Sequence, residues 1–272
     1  MRIGLLHPGA MGSSVGQALV ASGHDVVWAS AQRSSHTRAR GAGLRDLQTL
    51  QALLSTADAV ICICPPHAAE MQATEVAQAG FQGLYVDANA IAPDTAARIA
   101  QTIGPGYVDG GIIGPPARQT GTTRLYLSGP RASEAQNWFS AGALDVIVLN
   151  GTQTAASALK MAYAAYTKGM SALLLAVNAL AEATGVRQDL LQEWALSQPS
   201  LPGDSERVAR ATANKAWRFT GEMQEIAATF AAADLPADFH VAAAALYDRM
   251  AALKERPGAD LDEVLQTLLQ RS

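Results

Sequence analysis

The sequence predicts an α/β fold in which a doubly wound, mostly parallel sheet is followed by an all-α C-terminal domain. Two observations predict this arrangement. Through about residue 150, short apolar segments alternate with helical segments, which is typical of parallel sheets whose strands are joined by helices. Residues 151–272 then form consecutive helical segments, the first of them long and rich in alanine and leucine. We therefore expect two domains, 1–150 and 151–272.

The first element is an apolar strand, Arg2–Leu6, which leads into a glycine turn, a helix and a second strand. This order is the βαβ unit that opens a Rossmann domain. The turn has His7 at the first glycine position of the GxGxxG pattern, and we expect the rest of it to bind the pyrophosphate of a dinucleotide: Pro8, Gly9, Ala10, Met11 and Gly12. Gly9 would admit the pyrophosphate, and Gly12 would let the helix pack closely on the strand. The alternative is a turn that needs glycine only for its backbone geometry.

The residues that follow the second strand predict the choice of cofactor. Segment 29–38 contains no carboxylate, although an NAD-binding domain usually offers one to the ribose there. It supplies instead the hydroxyls of Ser30 and Ser34 and the guanidinium of Arg33, groups that suit a phosphate. NADP is therefore the expected cofactor, with NAD possible. The alternative is a solvated polar loop that binds nothing.

The next strands are predicted at 59–64, 83–87, 107–109, 124–128 and 145–149. Ligands bind at the carboxyl edge of such sheets, so we expect Cys64, Pro65 and Asn89 to line the cofactor site. The two cysteines, Cys62 and Cys64, lie in an apolar strand and are expected to be buried, reduced thiols. A metal site is not expected, because a single CxC pair provides too few ligands.

The long helix expected at 154–184 carries few charges before Glu182 and must be covered on nearly all sides. A monomer of this size offers little to cover it, so we expect a homodimer through the helical domain. A net charge of −4 without a basic block argues against nucleic acid and anionic membranes as partners. Because the first predicted strand begins at Arg2, we expect no signal peptide and a cytoplasmic location.

Several motifs resemble the β-hydroxyacid dehydrogenases, which include 6-phosphogluconate and 3-hydroxyisobutyrate dehydrogenases and their imine-reductase relatives. Gly9-Ala10-Met11-Gly12 is similar to the end of that family's GxGxMG, and Asp87-Ala88-Asn89 with Pro93 is similar to its cofactor-side loop. Gly121-Thr122-Thr123, before the strand at 125–129, is similar to its strand returning through the substrate side. Segment 221–227 is similar to a branch whose helical C-terminal domain has no assigned function.

The resemblance implies that Lys160 is the catalytic general acid in reduction and the base in oxidation. It also places Ile113, Gly114 and Pro115 in the substrate-binding motif DxxxSGG, with Ile113 in place of serine and Pro115 in place of glycine. Ala164 stands where the family has a substrate-orienting asparagine, and Gly221 where it has a second lysine.

On the helix of Lys160, Tyr163 and Thr167 share or border the lysine's face, so we expect them to contact substrate. Lys168 is a reserve candidate that could equally pair with a carboxylate at the domain interface. The alternative for Lys160 is a lysine that extends to solvent.

These observations predict an NADP-dependent oxidoreductase that transfers a hydride between nicotinamide and a small hydroxy acid or its carbonyl form. The active site is expected in the cleft between the two domains. One alternative is an imine reductase-like enzyme, because such relatives share the fold. A second alternative is a non-catalytic NADP-binding sensor or structural dimer, which the losses at 113, 164 and 221 favour.

Overall fold

The computed structural model describes residues 1–270. Its central feature is an eight-stranded sheet with the order β3-β2-β1-β4-β5-β6-β7-β8. The strands are β1 (Arg2–Leu6), β2 (Asp25–Trp28), β3 (Arg45–Asp46), β4 (Ala59–Cys62), β5 (Leu84–Asp87), β6 (Tyr107–Ile113), β7 (Thr123–Ser128) and β8 (Leu144–Val148). This confirms the predicted α/β fold with a predominantly parallel sheet.

Neighbouring strands pair in parallel throughout the sheet except at β6 and β7, which are antiparallel. Strand β1 lies between β2 and β4, so the chain leaves β1 in one direction and later returns to its other side. At such a switch point the loops after the two central strands diverge and leave a crevice at the carboxyl edge. The strand order places this switch point between the turn after β1 and the loop after β4.

Helices cover both faces of the sheet and bury its apolar side chains in two clusters. The helices of this part are α1 (Ala10–Ala21), α2 (Ser35–Gly41), α3 (Leu50–Leu54), α4 (Ala69–Gln78), α5 (Pro93–Ile103) and α6 (Ala132–Gln136). One cluster joins α1 and α6 to the sheet through Val15, Leu19 and Ala135. The other joins α4 and α5 to the opposite face through Val76 and Ile99.

A set of helices follows the sheet, as predicted. They are α7 (Ala155–Ala183), α8 (Arg187–Ser197), α9 (Leu201–Thr212), α10 (Ala216–Ala232), α11 (Asp238–Arg249) and α12 (Leu261–Leu269). By its contacts the chain divides into two compact units, Met1–Met161 and a helical unit from Ala162 onward. The first turns of α7 therefore group with the sheet, while the domain boundary expected at residue 150 stays a prediction.

Within residues 1–270 no helix combines the length and apolar character needed to cross a membrane.

Candidate functional site

The glycine turn after β1 leaves the N-terminus of α1 without a side-chain cap. Gly9 is the N-cap residue and has no side chain that could accept a hydrogen bond from the first turn of the helix. The neighbouring helices α2 and α3 differ, since Ser34 and Thr49 cap them. The first backbone N–H groups of a helix have no partner within the helix, and together with the helix dipole they suit an anion.

The two glycines of the turn have different surroundings. A Cβ on Gly12 would lie 2.4 Å from the carbonyl oxygen of His7, so only glycine lets the helix start this close to β1. A Cβ on Gly9 would meet no atom within 4 Å, and the φ of Gly9, −67°, is open to any residue. The fold therefore requires glycine at position 12 but not at position 9. At position 9 the backbone is left open to a ligand.

Arg33 of the loop after β2 reaches the glycine turn. Its guanidinium Nη1 donates a hydrogen bond of 2.8 Å to Nδ1 of His7, and the Nε2 of His7 lies 2.9 Å from Oε1 of Gln72 on α4. Burial and the charge of Arg33 lower the pKa of His7 to about 4, although the bond to Gln72 opposes the shift. The imidazole is therefore neutral near neutral pH.

The two serines of the same loop already have partners. The Oγ of Ser34 accepts a bond from the backbone N–H of Thr37 and so caps α2. Ser30 is buried, and its N–H donates to Oδ1 of Asp46, which also accepts from the N–H of Gln48. The structure thus brings the carboxylate of Asp46, 16 residues away in sequence, to the end of β2. Sequence reasoning missed this carboxylate because it lies outside segment 29–38.

The loops after β4 and β5 are joined by Asn89. Its side-chain Oδ1 accepts a bond of 2.6 Å from the N–H of Cys64, and its own N–H donates to Oδ1 of Asp87. Asn89 and Cys64 are both buried, whereas Pro65 is half-buried. The side chain of Asn89 therefore fixes the course of the loop at Cys64 and Pro65, the wall of the crevice opposite the glycine turn.

The thiols of Cys62 and Cys64 lie beneath this loop, with their sulfur atoms 3.7 Å apart and no disulfide between them. Cys62 is fully buried and Cys64 is 9% exposed. Burial also raises the pKa of the neighbouring Asp87 well above its usual range. These groups form a buried floor at the ends of β4 and β5.

The first turn of α7 is anchored on Asp109 of β6. One carboxylate oxygen, Oδ2, accepts from the backbone N–H of Ser157 at 2.8 Å, and Oδ1 accepts from the Ser157 hydroxyl at 2.6 Å. Ser128 of β7 donates to Oδ2 as well, and its Oγ accepts from the N–H of Ala156. Burial raises the pKa of Asp109, and these hydrogen bonds oppose the shift. Strands β6 and β7 therefore supply hydrogen-bond acceptors for the first turn of α7.

Lys160 lies one turn beyond this anchor and is half-buried. A Cβ on Gly111 of β6 would lie 2.7 Å from the carbonyl oxygen of Ala156 and 3.0 Å from the Cβ of Lys160. Glycine at 111 therefore lets α7 approach the strand closely and sets the position of the Lys160 backbone. The predicted substrate residues Ile113, Gly114 and Pro115 follow at the end of the same strand, where Ile113 is buried and the other two are exposed.

Tyr163 and Thr167 follow Lys160 along α7. Tyr163 is 48% exposed, and the hydroxyl of Thr167 donates to the Tyr163 carbonyl within the helix. Tyr163 therefore presents a free aromatic surface, whereas the hydroxyl hydrogen of Thr167 is engaged locally.

The helical unit has a polar centre of its own at Lys168. Its ammonium donates to Glu222 of α10 and lies 4.9 Å from the ring centre of Phe219. Both charged side chains are largely buried, with 14% and 15% of their surface exposed. The hydroxyl of Tyr247 donates to the Lys168 carbonyl at 2.7 Å. Lys168 thus pairs with a carboxylate, but the carboxylate belongs to the helical unit itself, whereas the sequence suggested one at the domain interface.

His240 is buried in the same unit, 4.2 Å from the ring of Phe230, and burial lowers its pKa. This surrounding is that of a core histidine. Nowhere in residues 1–270 do three or more His, Cys, Asp or Glu side chains group so that they could hold a metal ion.

Two protein families match separate parts of the chain. The family of the NAD binding domain of 6-phosphogluconate dehydrogenase matches residues 2–137, and a domain of unknown function (DUF1932) matches residues 181–250. An uncharacterised 28.5 kDa protein of Methanothermus fervidus is 29% identical over 195 residues, which cover 71% of this chain and 75% of that protein.

Two solved structures extend the comparison to nearly the whole chain. A conserved protein of unknown function, described as structurally similar to 3-hydroxyacid dehydrogenases, is 25% identical with a TM-score of 0.66 and covers 94% of this chain and 98% of its own. The 3-hydroxyisobutyrate dehydrogenase of Mycobacterium tuberculosis, solved with L-serine, is 17% identical with a TM-score of 0.65, and 99% of each chain is covered. The second likeness shows a shared fold.

Proposed function

The chain belongs to the family of the NAD-binding domain of 6-phosphogluconate dehydrogenase, and from this premise we propose that it is an NADP-dependent oxidoreductase. It would transfer a hydride between nicotinamide and a small hydroxy acid or its carbonyl form. The observation that carries the proposal is the open, uncapped N-terminus of α1 next to the guanidinium of Arg33. Together these groups match the diphosphate and the additional phosphate of NADP.

The turn and its neighbours fit a dinucleotide. The backbone N–H groups that begin α1 would hold the diphosphate, with Gly9 giving it room and Pro8, Ala10 and Met11 lining the approach. Cys64 and Pro65, fixed by Asn89, would bound the other side of the crevice. When bound, the nicotinamide supplies or accepts the hydride.

Lys160 is proposed to hold and move the proton. Reduction of a carbonyl places negative charge on its oxygen, and an ammonium beside that oxygen stabilises the charge and donates the proton. In oxidation the neutral amine would accept the proton from the hydroxyl. The anchor of α7 on Asp109 and the close approach at Gly111 support this role, because they fix the helix turn that carries Lys160.

The substrate is proposed to lie against the end of β6, at Ile113, Gly114 and Pro115, with Tyr163 and Thr167 of α7 as further contacts. An exposed tyrosine with a free hydroxyl can orient a small acid, a role that Ala164 cannot fill.

The preference for NADP over NAD rests on Arg33. Its planar guanidinium can bind a phosphate through two hydrogen bonds, with the Ser34 hydroxyl beside it in sequence. The Oδ1 of Asp46 is engaged by the backbone N–H groups of Ser30 and Gln48. NADPH is expected to bind more tightly than NADH, and the reverse order would exclude the Arg33 assignment.

The test combines calorimetric titration with turnover. We expect the wild type to bind NADPH and to oxidise it with members of a panel of small keto acids and aldehydes. Lys160→Met should lower kcat by about 100-fold or more while leaving the Kd for NADPH within about twofold. Lys215→Met, at an exposed lysine, is the matched control. A wild type that binds neither nucleotide would contradict the proposal, and binding without turnover would favour the sensor alternative.

We also propose a homodimer formed through α7. Large apolar side chains on this helix are exposed at intervals of four, three and seven residues, the spacing of a helix that packs against another: Tyr166, Met170, Leu173 and Leu180. Their exposure ranges from 43% to 71%. A second copy of the chain would cover this stripe.

Light scattering after gel filtration tests the dimer. Leu173→Glu should yield a monomer, because it places a charge in the middle of the stripe. Leu196→Glu is the matched control, since Leu196 is 84% exposed and lies outside the stripe on α8. A Leu173→Glu protein with the mass of the wild-type dimer would contradict the proposed interface, as would a monomeric wild type.

A further inference from the structure

His7 stands where the dinucleotide-binding pattern has its first glycine, and its backbone adopts the conformation that favours glycine. Its φ is +65°, a region in which a residue with a Cβ is strained by about 1 kcal/mol. The strain is offset by contacts of the side chain, which is bonded at both ring nitrogens. Glycine could make none of these contacts.

The bonds of His7 have a fixed direction. A guanidinium can only donate, so Nδ1 of the imidazole must be the acceptor from Arg33. The hydrogen of the neutral ring then lies on Nε2 and is donated to Oε1 of Gln72. Gln72 is buried, and its amide donates in turn to Glu75 at 2.6 Å. A series of hydrogen bonds therefore links Glu75, Gln72, His7 and Arg33, and in each bond one group can donate and the other can accept.

These hydrogen bonds restrain the side chain of Arg33, which would otherwise be mobile. Arg33 is half-buried on a loop, and its Nε has no hydrogen-bond partner within the described residues. A free arginine loses about 2 kcal/mol of rotamer entropy when it is fixed on a ligand. The bond to His7 holds Nη1 against the glycine turn, so less of this entropy remains to be lost when the guanidinium binds an anion.

We propose that His7 is a positioning residue that presets the guanidinium of Arg33 and thereby sets the preference for NADPH over NADH. The inference rests on the proposed binding of NADP. It predicts that the histidine acts on the additional phosphate of NADPH alone, because NADH lacks the group that Arg33 meets.

The test measures Kd for NADPH and NADH by calorimetry in five proteins: wild type, His7→Gly, His7→Asn, Arg33→Ala and the double variant His7→Gly/Arg33→Ala. His7→Gly restores glycine at a positive φ, so it should fold at least as well as the wild type. We expect it to weaken the binding of NADPH about tenfold, which is the effect of losing one hydrogen bond to a charged group. The Kd for NADH should change by less than about twofold.

The other variants separate positioning from the shape of the turn. Asparagine tolerates positive φ and offers an oxygen to Arg33, so His7→Asn should recover part of the NADPH affinity. In the Arg33→Ala background, His7→Gly should have no further effect on NADPH, because the group that it positions is gone.

Three results would overturn the inference. An unchanged ratio of NADPH to NADH affinity in His7→Gly would show that Arg33 needs no support. Equal weakening of both nucleotides would show that His7 shapes the turn, and additive losses in the double variant would show that it acts independently of Arg33. The proposed function is judged separately, on whether the wild type binds NADPH at all.

Discussion

The substitution Gly9→Ala tests whether glycine at position 9 is needed for the fold or for the proposed cofactor site. A methyl group at position 9 would meet no protein atom within 4 Å, and the φ of −67° suits alanine. Alanine makes the unfolded chain stiffer, a gain of about 0.4–1 kcal/mol. It is also a poorer N-cap than glycine, by a loss of similar size. The free energy of unfolding should therefore change by less than about 1 kcal/mol.

The effect on nucleotide binding should be much larger. The methyl group would occupy the open space through which a diphosphate approaches the N–H groups of α1. A hydrogen bond to a charged group contributes about 1.5–3 kcal/mol. The loss of two such bonds should therefore weaken the binding of NADPH at least about 100-fold. Calorimetric titration measures the binding, and urea unfolding measures the stability of the same preparation.

Two matched variants complete the experiment. Gly203→Ala, at another glycine with open space around its Cβ, should change neither property greatly. Gly12→Ala should lose stability, because its Cβ would lie 2.4 Å from the carbonyl oxygen of His7. If Gly9→Ala bound NADPH within about threefold of the wild type, the turn would not hold the diphosphate. If it unfolded as readily as Gly12→Ala, glycine at 9 would serve the fold.

Asp109→Ala should lower the free energy of unfolding by about 3 kcal/mol, because the N–H and hydroxyl of Ser157 lose their buried acceptor. Asp109→Asn keeps an acceptor and should lower it by less than about 1 kcal/mol. Equal losses for the two variants in urea unfolding would contradict this account. The lowered pKa of His7, about 4 against 6.5 in the unfolded chain, means that the unfolded state binds more protons between these values. A loss of about 3 kcal/mol in the free energy of unfolding should therefore develop as the pH falls from 6.5 to 4, and the difference in stability between wild type and His7→Asn should follow this course. Lys168→Met leaves Glu222 largely buried and unpaired and should cost about 3 kcal/mol, most of which Lys168→Met/Glu222→Leu should restore; a single variant as stable as the double would show that the pair is not coupled.

The strands that the sequence predicts best are those with continuous apolar runs. Strand β1 has its predicted bounds, and the predicted strands at 59–64 and 83–87 differ from β4 and β5 by one or two residues at the ends. These segments are buried on both faces, so their pattern is unambiguous. The short, polar strand β3, with both residues exposed, gives no such signal and was not predicted.

Strand β6 shows why composition alone misleads. The predicted strand ends at Asp109, and two glycines, Gly110 and Gly111, of a type common in turns, follow it. The structure continues the strand through Ile113, and the space left by Gly111 is filled by the backbone of α7. A glycine that admits a neighbouring helix cannot be distinguished in sequence from one that bends the chain.

In the candidate site, too, the sequence predicts some features and not others. The glycine turn and the loops after β2, β4 and β5 are expected at the carboxyl edge because parallel strands end there. The bonds that hold the site were not predicted, since they join residues far apart in sequence: His7 and Gln72 are separated by 65 positions, and Asp109 and Ser157 by 48. No local pattern encodes such a pairing.

The buried sulfur atoms below the crevice give the unmodified protein a reporter of its own. Cys62 and Cys64 are the only cysteines of the chain, and both are shielded from solvent at the end of β4. A chromogenic disulfide reagent can reach them only when this edge of the sheet opens, so the speed of colour development measures the opening equilibrium multiplied by the intrinsic reactivity of a thiol. Transient opening of this edge of the sheet can thus be followed in a spectrophotometer without any introduced label.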